Sequence, residues 1–285
     1  MSAPRSLWVE GSPRLHCLEW NPDGANTIVL LHGNTATAWW WAPLAAWIPP
    51  AYRLIAPDLR GHGDSEWVRP AAYSPANHAG DLARLIDAMG LERPIVAGHS
   101  MGGIAVVSFT QEYPLMAKAA VVIDAAVTSS PRRNRFLYRL KALPTVNYPD
   151  LATAIARFRL MPNEGGIAPE VIEQIARRSL RRTDDGCYTM KFDRESFYGG
   201  DGIDVAAAIA ATQVPMLLIR AGLSRIMTAE AAGRAAESNP LVELKVIEGA
   251  HHHLLLERPR DLAELICGFA MAMTRTETFE DGTER

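Results

Sequence analysis

Val96-Ala97-Gly98-His99-Ser100-Met101-Gly102-Gly103 runs from an apolar strand through a Gly-x-Ser-x-Gly turn into the small-residue start of a helix. This arrangement is a nucleophile elbow. In so sharp a strand-to-helix turn the serine adopts a strained backbone conformation, and the residues two before and two after it must be small for strand and helix to pack closely. Gly98 and Gly102 meet that demand. The turn lifts the serine hydroxyl above the sheet and aims the Met101 N–H, at the helix N-terminus, toward negative charge developing beside it. Ser100 is therefore the candidate nucleophile.

Around the elbow the chain alternates two kinds of segment. Residues 27–31, 53–56, 94–97 and 119–123 are short, continuous apolar runs of the kind found in strands buried on both faces. Between them lie helical patterns such as residues 77–89, with Leu82, Leu85, Ile86 and Met89 on one face. Strand alternating with helix implies a parallel sheet with right-handed crossovers. A hairpin over residues 7–10 and 14–19 is expected ahead of it. Strands resume at 214–220 and 241–247, followed by helices over 228–237 and 259–273. The gap between the two blocks holds helix-like stretches, 151–159 and 169–182, and is expected to be a mostly helical cap inserted after Ile123. The predicted division is a core of residues 1–126 and 214–274, a cap of 127–213, and a frayed tail of 275–285 rich in Thr, Glu and Asp.

A chain of 285 residues, 48% of them hydrophobic, can bury the core of one large domain with an inserted subdomain. A net charge of −3 provides no basic field for nucleic acid or an anionic membrane. The basic triplet Arg132, Arg133 and Arg135 is too short to change this and reads as a solvated face. Cys17, Cys187 and Cys267 lie far apart, without metal spacing or a disulfide framework, as expected in a reducing compartment. Residues 1–11 carry no apolar stretch of signal-peptide length, and no run of eighteen apolar residues occurs. The cytoplasm is the expected location.

A serine hydroxyl near neutral pH needs a base to take its proton. Ile247-Glu248-Gly249-Ala250-His251-His252-His253-Leu254, after the last strand, provides candidates. Three adjacent histidines invite a metal reading. Sequence neighbours point different ways in regular backbone, however, and no carboxylate or cysteine is spaced for coordination, so no metal or cofactor is expected.

With these residues in place the chain resembles the α/β-hydrolase family from about residue 27 to residue 265, outside the cap. Four ordered landmarks carry the resemblance: Leu31-His32-Gly33-Asn34, Asp58-Leu59-Arg60-Gly61-His62-Gly63-Asp64-Ser65, the elbow, and Gly249-Ala250-His251-His252 followed by Leu256-Glu257-Arg258-Pro259. The resemblance implies an α/β fold with a mostly parallel eight-stranded sheet flanked by helices, the cap entering after strand 6. It also implies His252 as base. The family usually has Gly where His251 stands, which leaves His251 as the alternative register, and the spacing to Glu257 and Pro259 favours His252. The oxyanion hole implied is the backbone N–H of Met101 with that of Asn34. The Asn34 side chain either shapes its loop or meets substrate.

The third catalytic residue departs from the family pattern. Where an acid is usual after residues 214–220, this chain has Ala221-Gly222-Leu223-Ser224. Serine cannot stabilise an imidazolium as a carboxylate does. Asp124 follows Val121-Val122-Ile123 at a neighbouring strand's C-terminal end, where ligand-facing residues cluster, and is the favoured replacement. A cap residue such as Asp201 or Asp204, or a His–Ser dyad, is the alternative. Asp58 and Asp64 are expected to satisfy backbone donors.

Trp39 and Trp40, in the run Trp39-Trp40-Trp41, are candidates to line the cleft, with apolar cap residues such as Phe136, Met161 and Phe197. Nothing in the cap forms a paired-arginine signature demanding an anionic substrate, although Arg225 beside Ser224 is placed to meet one. The expected activity is hydrolysis of a small-molecule carboxylic ester or lactone through an acyl-enzyme. Carbon–carbon bond hydrolysis, cofactor-free peroxidase or dioxygenase chemistry, and ligand sensing are the alternatives on this fold.

Overall fold

Ile28 and Leu30 face one way from their strand and Val29 and Leu31 the other, and each pair enters a different hydrophobic core. That two-sided burial explains why the central strands read as unbroken apolar runs rather than alternating ones. The computed structural model describes residues 3–197 and 202–280, the side chains of 275–280 excepted. Ten strands are present among these: β1 Arg5–Val9, β2 Leu15–Trp20, β3 Asn26–Leu31, β4 Tyr52–Pro57, β5 Ile95–His99, β6 Ala119–Ile123, β7 Leu180–Arg182, β8 Tyr188–Met190, β9 Met216–Ala221 and β10 Val242–Ile247. Eight of them form one sheet in the order β1-β2-β4-β3-β5-β6-β9-β10. The β1–β2 and β2–β4 pairs are antiparallel and every other pair in this sheet is parallel. This is the mostly parallel eight-stranded sheet expected from the sequence.

The helices are α1 Ala42–Ala45, α2 Pro75–Ala88, α3 Met101–Glu112, α4 Pro131–Ala142, α5 Leu151–Arg157, α6 Pro169–Ser179, α7 Val205–Ala210, α8 Ala229–Glu237, α9 Leu254–Glu257 and α10 Pro259–Glu280. α2, α3, α7 and α8 cover the sheet face to which Val29 and Leu31 point, while α1, α9 and α10 cover the opposite face. α2 starts at Pro75, two residues before the expected stretch of 77–89, because its cap lies at Ser74. Ser74 caps the Asn77 N–H, Asn77 reaches back to the Ser74 N–H, and Pro75 occupies the first turn.

The segment between β6 and β9 differs from its expectation in two places. The helix expected over 169–182 stops at Ser179, and the chain turns back as the antiparallel β7–β8 hairpin. Leu180 pairs with Met190, Arg181 with Thr189 and Arg182 with Tyr188, so the inserted segment is not wholly helical. At its far end, Val205, Ala208 and Ile209 of α7 pack into the core beneath α3. These residues fall within the stretch of 127–213 expected to form the cap, yet they pack against the core layer. At the C-terminus α10 continues to Glu280, past the helix end expected near residue 273, and residues 281–285 lie outside the described set.

No helix among the described residues is long and apolar enough to cross a membrane. Cys17, Cys187 and Cys267 are free thiols.

Candidate active site

β5 ends at His99 and α3 begins at Met101, leaving Ser100 alone in the turn at φ 54° and ψ −116°. A non-glycine residue in this region is strained, and the surroundings enforce it. The Ser100 N–H donates to the Ile123 carbonyl across 2.9 Å, tying the turn to the end of β6. The two flanking glycines are where strand and helix touch. A Cβ on Gly98 would lie 2.2 Å from the Gly102 carbonyl oxygen, and one on Gly102 would lie 2.3 Å from that of Leu31.

His252 meets this serine from the loop after β10, and Asp124 meets the histidine from the end of β6. The Ser100 hydroxyl donates to His252 Nε2 over 3.1 Å. His252 Nδ1–H donates to Asp124 Oδ2 over 2.7 Å. A carboxylate only accepts, so this second bond sets the tautomer that leaves Nε2 free to accept. The alternatives raised by the sequence fall elsewhere. His251 turns toward Glu257, its N–H donating to Oε2 at 2.7 Å and its Nδ1 at 3.1 Å from Oε1. Asp204 is exposed and caps α7 through the Ala207 N–H. Asp201 lies outside the described residues.

Ser224, at the position where the family usually carries the acid, is bonded directly to Asp124. Its hydroxyl donates to Asp124 Oδ2 over 2.5 Å while accepting the Ile226 N–H at 3.0 Å. The Ala221 N–H supplies Oδ1 at 3.1 Å. Asp124 itself sits at φ 42°, a second strained non-glycine residue beside the elbow. Burial pushes the Asp124 carboxyl up to about 6, and the Ser224 and Ala221 donors pull against that rise. Burial likewise draws His252 down to about 3. Near neutral pH the site therefore holds an ionised carboxylate and a neutral imidazole, the states a general base needs.

Several neighbours of His252 carried no signal in the sequence beyond their type. His99, the variable residue of the elbow motif, is buried behind it and donates Nε2–H to the His252 carbonyl at 2.9 Å. Glu164, from the stretch after α5, accepts the His252 N–H at 2.9 Å. His253 Nε2–H donates to the Pro162 carbonyl at 3.0 Å, so the inserted segment grips the histidine loop at two points. One metal-type grouping is nearby. Nitrogens of His99, His252 and His253 lie within 4.8 Å of one another, yet both His252 nitrogens are engaged by Ser100 and Asp124. A second grouping of His16, Asp58 and Asp64 is tied up internally: Asp58 bonds His16 and accepts the Ala38 and Asp64 N–H groups. Asp58 thus fills the backbone role expected of it, whereas the Asp64 carboxylate pairs with Lys191 at 2.6 Å.

The site opens into a cavity of about 570 Å³. Asn34 and Met101 both line it, and neither backbone N–H donates to another group among the described residues. The Asn34 amide nitrogen reaches the Ser196 carbonyl at 3.4 Å. Phe136, Met161 and Phe197 line the walls as anticipated, but Trp39 and Trp40 do not. The turn that carries them tucks beneath α6. There Trp40 is buried with its indole N–H on the Ser179 hydroxyl at 3.2 Å, and Trp39 faces the Arg178 guanidinium at 4.0 Å. Both are packing residues in this position, and the cleft role assigned to them from sequence is corrected. A further correction concerns charge: Arg133 and Arg159 line the cavity, whereas Arg225 does not.

The family model described as "Alpha/beta hydrolase family" matches residues 28–265. Epoxide hydrolase A of Mycobacterium tuberculosis is 28% identical, the match covering 94% of this chain and 98% of that protein. A carboxylesterase of Bacillus subtilis is 26% identical over 90% of this chain and 84% of its own. Among solved structures, E-2-(acetamidomethylene)succinate hydrolase superposes with a TM-score of 0.82, covering 94% of this chain and 99% of that one, at 23% identity, a likeness that speaks to fold. These relatives are all hydrolases, which supports hydrolase chemistry in general terms. Sheet order, elbow and family match agree, and the chain belongs to the alpha/beta hydrolase family.

Proposed function

We propose that this chain is a serine hydrolase that cleaves a carboxylic ester or lactone of a small, largely apolar substrate through an acyl-enzyme. The observation that carries this reading is the continuous line of hydrogen bonds from Ser100 through His252 to Asp124, opening into a cavity beside two uncommitted backbone N–H groups. Ser100 Oγ adds to the substrate carbonyl carbon as its proton passes to His252 Nε2. The carbonyl electron pair moves to oxygen, and the resulting oxyanion accepts from the Met101 and Asn34 N–H groups. Collapse breaks the bond to the alcohol oxygen, which takes the proton from His252. Water then gives its proton to His252 and adds to the acyl carbonyl, and collapse returns the acid and the free Ser100 hydroxyl. Asp124 holds the imidazole in register and offsets its charge in each half-reaction.

The test combines labelling with turnover. A fluorophosphonate probe is expected to label the protein and to fail on Ser100→Ala, and p-nitrophenyl butyrate is expected to release nitrophenol with a pre-steady-state burst. A folded protein that takes no label and releases no nitrophenol would sink the proposal.

A further inference from the structure

The cavity beside Ser100 is unbalanced in charge. Its lining among the described residues includes two arginines, Arg133 and Arg159, and no aspartate or glutamate. Arg133 lies in the first turn of α4, where the basic triplet that reads as a solvated face is split: Arg132 and Arg135 are exposed while Arg133 is half-buried over the cavity. Its guanidinium donates to the Thr128 carbonyl at 3.2 Å, and no carboxylate pairs with it among the described residues. Arg60 and Arg84 share Asp81, and Arg53 pairs with Glu19. Arg194 and Arg220, like Arg133, are partly buried on backbone carbonyls, but among these three Arg133 alone lines the cavity.

A cation withdrawn from water without a counter-charge is unfavourable, and burial accordingly draws the Arg133 guanidinium below its ordinary range. An anion entering the cavity removes that cost. A planar guanidinium matches the two oxygens of a carboxylate. Arg159 is exposed, with its guanidinium on the carbonyls of Ala156 and Phe158 at 2.9 and 2.6 Å, and adds positive potential to the same cavity. The rest of the wall, including Leu160, Phe197 and Ile226, suits an apolar body.

We propose that the cavity takes a substrate carrying a carboxylate in addition to the scissile carbonyl, and that Arg133 pairs with that carboxylate. The proposal rests on the ester-hydrolase reading, and two measurements keep them separable. The first compares kcat/KM for matched esters. Mono-p-nitrophenyl glutarate against p-nitrophenyl pentanoate places the charge on the acyl side, and 4-(butyryloxy)benzoate against phenyl butyrate places it on the alcohol side. For at least one pair the wild type is expected to favour the anionic ester by about tenfold or more, and Arg133→Met to reduce that ratio about tenfold, with Arg133→Lys between them. The ratio is read within each variant, so a general loss of activity or folding does not mimic the effect. Ratios near one for both pairs, or ratios unchanged in Arg133→Met, overturn the proposal and leave the ester-hydrolase reading standing.

The second measurement needs no turnover. Calorimetric titration of Ser100→Ala with monobutyl glutarate is expected to give binding that dibutyl glutarate does not match and that Ser100→Ala/Arg133→Met loses. If this holds while the wild type hydrolyses neither ester of either pair, the carboxylate site stands and the ester-hydrolase reading fails. Equal binding of the two glutarates counts against Arg133 as the anion partner.

Discussion

The hydroxyl of Ser224 donates to the carboxylate of Asp124 over 2.5 Å, so the residue occupying the family's usual acid position hydrogen-bonds the acid that has moved one strand away. The acid comes from β6, next to β9 in the sheet, and Ser224 from the loop after β9 closes over it. Losing this donor should show in the pH profile. Burial holds Asp124 up at about 6 and the Ser224 hydroxyl opposes that rise, so Ser224→Ala raises the pKa further. Activity is present above the limb, where the carboxylate is ionised, and lost below it. The acid limb of kcat/KM should therefore move to higher pH by roughly half to one unit in Ser224→Ala, with a roughly three- to tenfold lower plateau. The limb belongs to the Asp124–His252 pair and is read as one apparent value. An unmoved limb would contradict the coupling.

Asp124→Asn should separate catalysis from stability. An amide at this position can present a donor to His252 Nδ1 and favour the wrong tautomer, so kcat should fall by roughly four orders of magnitude. The folding effect has the opposite tendency. The folded-state pKa of Asp124 is raised from 3.8 to about 6, so its contribution favours the fold below pH 4 and is lost as pH rises through 6. The buried charge is thus a burden at pH 8, and Asp124→Asn should melt at or above the wild-type temperature there. Near-normal turnover in this variant would remove Asp124 from the mechanism.

Gly98→Ala tests the tightness of the elbow. The added methyl would lie 2.2 Å from the Gly102 carbonyl oxygen and 2.4 Å from its carbon, both backbone atoms that cannot rotate away. Urea unfolding should show a loss of about 2–3 kcal/mol, and fluorophosphonate labelling of Ser100 should slow as the turn shifts. Unchanged stability would mean that strand and helix separate at little cost.

Glu164→Ala removes the acceptor of the His252 N–H and should lower kcat by roughly fivefold with a smaller change in KM, because it disturbs the placement of the base. Glu164→Gln keeps an acceptor oxygen and should recover most of the loss. If Ala and Gln behave alike, or if KM carries the whole effect, Glu164 acts on substrate access instead of on His252.

The parts of this molecule legible from sequence are those set by local pattern. β5 and β6 are buried at every residue, so their apolar runs mark the sheet directly, and the elbow glycines follow from the steric limits of one turn. His252 is found because Glu257 and Pro259 hold its spacing. What escapes are contacts between distant segments. Ser224 and Asp124 are 100 residues apart, and Glu164 and His252 are 88 apart, with no periodicity linking either pair. The tryptophan triplet misled because aromatic residues serve packing and binding equally well, and the α6 packing that buries Trp40 is set by Ser179, far along the chain. Arg133 misled for the converse reason: one turn of α4 sends adjacent basic side chains both to solvent and over the cavity.

Glu164 and the Pro162 carbonyl hold the backbone N–H of His252 and the ring of His253 from the stretch whose Met161, Pro162 and Asn163 line the cavity. Cavity wall and catalytic loop are consequently one hydrogen-bonded unit, so a substitution that reshapes the wall at this stretch also bears on the placement of the base.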